Sequence, residues 1–167
     1  MAFRFAHELE WNVHYRPYKP EDFAALYAIE ELCFQPPLSF SRRHMRQLVT
    51  SPHAATWIAE DDGHMVGFAI VEWAEETGIV VAYIQTIEVA PEQLRQGIGK
   101  ELLRRIEASA RAAGAQAIWL HVDATNAGAI RLYEANGYRS EGREENYYAR
   151  DRAALIYVKP LGSLLAS

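Results

Sequence analysis

The stretch from residue 78 to residue 123 constrains the fold most, because its hydrophobic period changes twice. "GIVVAYIQTIEVAP" is a β-branched run that predicts a central strand ending before Pro91. From Ile98 the apolar residues recur at helical spacing until Gly114, which predicts a helix of about four turns. "AIWLHV" then predicts a short buried strand. Strand, helix and strand in this order imply a right-handed parallel crossover, and therefore a fold of the α/β type.

The rest of the chain supplies further strands and helices around this unit. "NVHYRPY" predicts a strand, "KPEDFAALYAIEELCF" and "SRRHMRQLVTS" predict helices, and an Asp-Gly turn joins two strands in "ATWIAEDDGHMVGFAIVEWA". "TNAGAIRLYEANGY" predicts a helix capped by Thr125 or Asn126, and "YRSEGREENYY" and "ALIYVKPL" predict two final strands. We expect one mixed sheet of about six or seven strands, flanked by about four helices. Residues 13–167 form a single domain in this prediction, and residues 1–12 form an N-terminal extension.

Composition and charge exclude several classes of protein. A net charge of −5 and a pI near 5.7 argue against nucleic acid as a partner, because such binding needs a clustered basic surface. The longest apolar run is too short for a membrane span, and the charged N-terminus does not resemble a secretory signal, so a cytoplasmic protein is expected. The spacing of the histidines and of the single Cys33 predicts no metal site. A monomer and a homodimer both remain open.

The stretch "QLRQGIGKELL" contains two glycines and a lysine where a chain enters a helix. A phosphate-binding loop for nucleoside triphosphates needs a glycine at Leu94 and a hydroxyl residue at Glu101, and a dinucleotide-binding fold needs a third glycine at Leu102. Neither motif is therefore present. Main-chain N–H groups at a helix N-terminus still favour an anion, so this stretch is either an anion cradle or only a tight turn before a helix.

Three blocks in this order, "IEVAPEQLRQGIGKELL", "TNAGAI" and "RLYEANGY", resemble the Gcn5-related N-acetyltransferase (GNAT) superfamily over roughly residues 13 to 160. The resemblance implies that the glycine stretch holds the pyrophosphate of acetyl-CoA. The family pattern usually places Arg or Gln at the position of Leu94, which is a modest departure. The cofactor-binding residues implied by the resemblance are Ile87, Val89, Arg95, Gln96, Gly97, Ile98, Gly99, Lys100, Asn126 and Tyr133.

A narrower resemblance is carried by "YIQTIEVAP", "LHVDATNAGAIRLYEANGY" and "ENYY", which are similar to protein N-terminal acetyltransferases of the RimI-like and eukaryotic types. It implies that His121 is a general base acting through water held by Tyr83. The GNAT resemblance at "LYEANGY" implies that Tyr133 donates a proton to, or hydrogen-bonds, the coenzyme thiol. From the residues alone, His121 could instead be a core histidine and Tyr133 a core aromatic anchor. Glu88 is the alternative base, although a carboxylate beside the end of a strand is more often solvated or structural.

The same resemblance implies an acceptor pocket lined by Pro37, Leu38, Tyr147 and Tyr148. The predicted reaction is acetyl transfer from acetyl-CoA to an amine by direct attack in a ternary complex. The expected acceptor is the N-terminal α-amine of a protein or peptide. A small-molecule amine, such as an amino acid, polyamine or drug, is the alternative, and a non-catalytic acetyl-CoA sensor is a third interpretation.

Overall fold

The computed structural model describes residues 12–94 and 96–162. All but the last residue of the predicted N-terminal extension, together with Arg95, lie outside this part of the chain. The helices and strands occur in the predicted order. They are β1 (Val13–Pro17), α1 (Phe23–Cys33), α2 (Arg42–Thr50), β2 (Ala54–Asp61), β3 (His64–Glu76), β4 (Ile79–Val89), α3 (Ile98–Ala112), β5 (Ala115–Asp123), α4 (Ala127–Ala135), β6 (Arg139–Ala149) and β7 (Arg152–Pro160).

In the described part of the chain the seven strands form one mixed sheet in the order β1-β2-β3-β4-β5-β7-β6, with four α-helices around it. All neighbouring strands are antiparallel except β4 and β5, which run parallel because α3 carries the chain back between them. The predicted fold class is confirmed. None of the helices described here combines the length and apolar content needed to span a bilayer.

Helix α3 covers one face of the sheet with an apolar stripe. Its residues Ile98, Leu102 and Ile106 are at most 1% exposed, and burial of each such side chain contributes roughly 1.5–3 kcal/mol. The Trp57 indole N–H on β2 donates to the Ser109 hydroxyl at 2.9 Å, which fixes the helix against the sheet. The predicted stripe is therefore part of the larger of the two hydrophobic cores found among the described residues.

Helices α1 and α2 cover the opposite face. Phe68 and Ile70 on β3 pack there with Leu26 of α1, whereas the alternating Ala69 and Val71 point to the α3 side. Strand β3 is buried on both faces because side chains alternate along a strand and helices cover each side. The domain is thus a sheet between two helical layers.

Strand β4 leaves its parallel neighbour halfway along its length. The two strands pair only from Val80 opposite Ala115 to Tyr83 opposite Trp119. Against β3, the register shifts at Gln85, which is one extra residue on β4 and bends the strand. Beyond this point β5 continues beside β7, while β4 continues beside β3. The two strands therefore diverge, and a gap separates the end of β4 from β5.

Candidate active site

A cleft of about 540 Å³ lies where β4 and β5 separate. Its walls come from both strands, α4, β6 and the segment between α1 and α2. Eight of the seventeen candidate residues, which the sequence scatters over more than a hundred positions, line this cleft. Those that line it are Leu38, Tyr83, Ile87, His121, Asn126, Tyr133, Tyr147 and Tyr148.

Tyr83 and His121 contact each other directly across the parallel pair. The Tyr83 hydroxyl lies 2.9 Å from His121 Nδ1, so the two side chains form a hydrogen bond without an intervening water. Trp119 stands edge-on to both rings, with centroid distances of 4.6 Å to Tyr83 and 5.2 Å to His121. Burial raises the pKa of the Tyr83 phenol above its ordinary value, with a further contribution from Tyr147.

The other side of His121 is occupied by strand β6. The imidazole Nε2 lies 3.1 Å from a carboxylate oxygen of Glu144, and the Tyr147 ring stacks on the imidazole at 4.2 Å with an interplanar angle of 9°. Tyr148 stands edge-on to Tyr147 at 4.8 Å. The histidine is therefore held on both nitrogens and on one ring face, and its side chain is only 9% exposed.

Tyr133 enters the cleft from α4. It belongs to the larger core, and Ala129 and Ile130 pack against the same core, because the three residues share one face of the helix. Burial raises the pKa of its hydroxyl, and Tyr148 adds to the shift. Tyr133 is thus a neutral phenol able to donate a hydrogen bond. Asn126 begins the helix, and its side chain accepts from the Ala129 N–H at 3.1 Å.

The glycine stretch forms the start of α3, as predicted. Gly97 is the residue before the helix and adopts a left-handed conformation with φ of +79°. The Glu101 N–H donates to the Gly97 carbonyl at 3.1 Å, so the N–H groups that precede Glu101 have no carbonyl partner within the helix. A Cβ added to Gly99 would lie 3.9 Å from Val89 and 3.5 Å from Leu132, so the helix begins beside the end of β4 and beside α4.

Glu88 does not line the cleft, although the sequence offered it as an alternative base. It is 2% exposed, accepts a hydrogen bond from Thr86 at 2.8 Å, and contacts the carboxyl of Glu30 on α1. Burial, followed by the neighbouring Glu30 carboxyl, raises the pKa of Glu88 to about 10. Glu88 is therefore a protonated, buried group at neutral pH rather than a solvated carboxylate, and it does not join Tyr83 and His121.

The segment between α1 and α2 forms another wall of the cleft. Leu38 lines the cleft there, whereas Pro37 is exposed and does not. Two hydrogen bonds to the main chain of Phe40 anchor the segment to α1: its N–H donates to Glu30 at 2.7 Å, and its carbonyl accepts from the Tyr27 hydroxyl at 3.0 Å. The wall thus depends on a buried carboxyl as well as on its apolar residues.

Sequence reasoning missed Glu144, Trp119 and Glu30. Glu144 lies in "GREENYY", where three consecutive charged residues look like an ordinary solvated strand face. Its contact with His121 depends on the pairing of β5 with β7 and of β7 with β6. These pairings join distant parts of the chain, so no local sequence pattern indicates them. Trp119 carried a signal, because it precedes His121 by two residues on the same strand and therefore shares its face.

Residues 8–138 match the model of the acetyltransferase (GNAT) family. The chain is 36% identical over 87 residues to the [ribosomal protein bS18]-alanine N-acetyltransferase of Escherichia coli K12, a match that covers 52% of this chain and 56% of the relative. The chain thus spans little more than half the length of that relative. It is also 28% identical over 134 residues to an N-alpha-acetyltransferase of Sulfurisphaera tokodaii, covering 75% of this chain and 78% of the relative.

Solved structures agree with the sequence matches. The crystal structure of the ribosomal-protein-S18-alanine N-acetyltransferase from Escherichia coli superposes with a TM-score of 0.80 at 25% identity. The superposition covers 93% of this chain and 97% of that chain. The similarity therefore extends beyond the 87 residues matched in sequence and includes nearly the whole fold.

Proposed function

Because the chain belongs to the acetyltransferase (GNAT) family, we propose that it transfers an acetyl group from acetyl-CoA to the N-terminal α-amine of a protein or peptide. The observation that carries the proposal is the hydrogen-bonded pair of Tyr83 and His121 in a cleft between separated parallel strands. The same cleft holds the neutral phenol of Tyr133. The names of the two relatives above support an α-amine as the acceptor.

The chain offers acetyl-CoA a binding surface made mainly of backbone. At the start of α3, the N–H groups from Gly97 to Lys100 have no intrahelical acceptor, and the helix dipole favours the charge of a pyrophosphate there. Apart from the bulged Gln85, the β4 residues from Ile84 to Val89 pair with β3 but not with β5, which leaves the main chain of that edge for the amide groups of a pantetheine arm. When bound, acetyl-CoA supplies an acyl group already activated as a thioester.

The separation of β4 from β5 is what makes this surface usable. A paired β5 would occupy the hydrogen-bonding groups at the end of β4 and would fill the space beside Ile87. The bulge at Gln85 bends β4 away instead, and Val89 then ends next to the first turn of α3. The two halves of the expected cofactor site are therefore continuous with each other and with the cleft.

An α-amine suits the groups in this cleft better than a lysine side chain. At pH near 7.4, roughly a quarter of a free α-amine is already neutral, because its pKa is about 7.7 to 8.0. A lysine, with a pKa of about 10.4, is only ~0.1% neutral at that pH. Tyr83 and His121 then have one proton to remove during attack, rather than two. Leu38 and Tyr148, which both line the cleft, would contact the first residues of an acceptor peptide.

Tyr133 would protonate the departing thiolate. Its hydroxyl is buried, and its raised pKa means that the proton stays on oxygen at neutral pH until a stronger base appears nearby. Its position on α4, beside the end of β4, matches the expected course of the pantetheine arm. We expect Tyr133 to affect kcat rather than the affinity for acetyl-CoA.

A panel of acceptors incubated with radiolabelled acetyl-CoA tests the proposal. N-terminal peptides with different first residues would be compared with the same peptides blocked at the α-amine, and with lysine, spermidine and an aminoglycoside. We expect label on the unblocked peptides, and loss of at least ~100-fold in kcat for the Tyr83→Phe, His121→Ala double variant. Tyr18→Phe, which changes a tyrosine of the smaller core, is the matched control. Label on blocked peptides or small amines alone would refute an α-amine acceptor.

A further inference from the structure

The carboxylate of Glu144 completes a chain of hydrogen bonds that begins inside the cleft. Glu144 is on β6, its side chain is 48% exposed, and it lies 3.1 Å from His121 Nε2. His121 Nδ1 in turn lies 2.9 Å from the Tyr83 hydroxyl. We infer that Glu144 is a positioning residue that fixes the tautomer of His121, so that Tyr83 presents the proton-accepting atom to the acceptor amine. This inference rests on the proposed function.

The tautomer follows from what each group can donate. An ionised carboxylate only accepts hydrogen bonds, so the nitrogen facing Glu144 must carry a proton. Neutral imidazole has one N–H, which places it on Nε2 and leaves a lone pair on Nδ1. The Tyr83 hydroxyl therefore donates to Nδ1. The Glu144 carboxylate has no proton to donate, and it therefore sets the direction of both hydrogen bonds.

Neither ring nitrogen of His121 is then available to the acceptor. The stacked ring of Tyr147 covers one face of the imidazole, and the whole side chain is 9% exposed. Tyr83, in contrast, lines the cleft, and its oxygen keeps lone pairs that can accept a proton after its own hydrogen has been committed to Nδ1. Because the Tyr83 hydroxyl and His121 Nδ1 are 2.9 Å apart, a water held by Tyr83 would lie on the cleft side of its oxygen and not between the two side chains. The amine meets the Tyr83 oxygen directly or through a water on the cleft side.

The proton balance of this route is simple. As the C–N bond forms and the acyl C–S bond breaks, the acceptor nitrogen loses one proton to the Tyr83 oxygen. The original Tyr83 proton passes to His121 Nδ1, and the resulting imidazolium is held by the Glu144 carboxylate. The leaving thiolate takes the Tyr133 proton. The exposed side of Glu144 provides the way by which the excess proton leaves His121 for solvent, and Tyr133 recovers one from solvent.

Two substitutions at Glu144 separate the effect of its hydrogen bond to His121 from the effect of its negative charge. In Glu144→Gln, the amide oxygen still accepts from Nε2–H but the negative charge beside the imidazolium is lost. In Glu144→Ala, both are lost. We expect kcat to fall about threefold in the first variant and about tenfold in the second, with an unchanged KM for acetyl-CoA, because an exposed ion pair makes a modest contribution. Glu145→Gln is the matched control, since Glu145 is the next residue on β6 and pairs with Arg143 instead.

Nitrogen-15 NMR of histidine-labelled protein, without acceptor or acetyl-CoA, shows which ring nitrogen of His121 carries the proton. The His121 signals are assigned by comparison with His121→Asn. We expect the wild type and Glu145→Gln to show the Nε2–H tautomer with a slowly exchanging, downfield N–H proton, and Glu144→Ala to lose that proton signal to exchange. An Nδ1–H tautomer in the wild type, or a Glu144→Ala variant with wild-type kcat, would overturn the inference. If the wild-type protein acetylates no amine, the proposed function fails, while the NMR spectra still decide whether Glu144 fixes the ring.

Discussion

Replacement of Glu88 by glutamine tests what a buried pair of carboxyl groups does to the stability of this fold. Glu88 and Glu30 are 2% and 1% exposed. One oxygen of each carboxyl accepts a hydrogen bond, from the Thr86 hydroxyl and from the Phe40 N–H respectively. The second oxygen of each has no other donor within the described residues, and the two carboxyls contact each other. One shared proton between them satisfies both oxygens.

The pKa of Glu88 gives the sign and the size of the effect. Burial and Glu30 raise this pKa from 4.5 to about 10, so the folded protein holds a proton that the unfolded chain has lost between those two pH values. The free energy of unfolding then falls as pH rises, by at most about 1.4 kcal/mol per pH unit. From pH 5 to pH 8 the loss is at most about 4 kcal/mol. The amide introduced by Glu88→Gln carries its own hydrogen-bond donors and does not titrate. The free energy of unfolding of this variant therefore does not fall with pH for this reason.

Urea unfolding at pH 5, 6, 7 and 8 measures the difference between the two proteins. We expect Glu88→Gln to be more stable than wild type at pH 8 by at least about 1 kcal/mol, and the difference to shrink towards pH 5. Other titrating groups cancel in the comparison. Glu31→Gln, which changes an exposed glutamate on the same helix as Glu30, is the control and should leave the pH dependence unchanged. A difference between Glu88→Gln and wild type that is constant over this range would refute a shared proton.

Three further substitutions test separate parts of the structure. Tyr133→Phe should lower kcat at least ~10-fold with nearly unchanged acetyl-CoA affinity by isothermal titration; lost binding with normal single-turnover chemistry would contradict its role. Gly97→Ala and its control Gly63→Ala should each lower the free energy of unfolding by roughly 1–2 kcal/mol in urea, because both glycines have positive φ. Only Gly97→Ala should also weaken acetyl-CoA binding. Equal affinities of the two variants for acetyl-CoA would argue against an anion cradle at Gly97. Ser109→Ala should destabilise the fold by about 1 kcal/mol by removing the acceptor of the Trp57 indole, and an unchanged urea midpoint would show that this hydrogen bond contributes nothing.

The secondary structure could be predicted closely because each element carries its own signal. The apolar stripe of α3 and the β-branched run of β4 have different periods, and turn residues separate them. The Asp-Gly pair between β2 and β3 and the asparagine before α4 are local signals of the same kind. Such patterns depend on neighbours within one or two turns of chain, so they can be read without knowing the fold.

The candidate site was predicted only in part. The pair of Tyr83 and His121 came from resemblance, and the structure places the two side chains in direct contact although 38 positions separate them. Glu144, another 23 positions away, had no signal at all. Glu88 was expected to be a possible base, but the bend at Gln85 turns it, with Thr86, towards α1 and into a carboxyl pair.

The sequence by itself determined the order of the elements, the parallel crossover and the glycine-containing entry to α3, because hydrophobic period, turn residues and backbone freedom act over short distances. Only the tertiary structure decided where β4 leaves β5, which ring nitrogen of His121 meets Glu144, and that Glu88 is buried against Glu30. Those features depend on strand register and on the packing of helices against the sheet. Both arise from contacts between residues far apart in the chain, and a local pattern does not contain them.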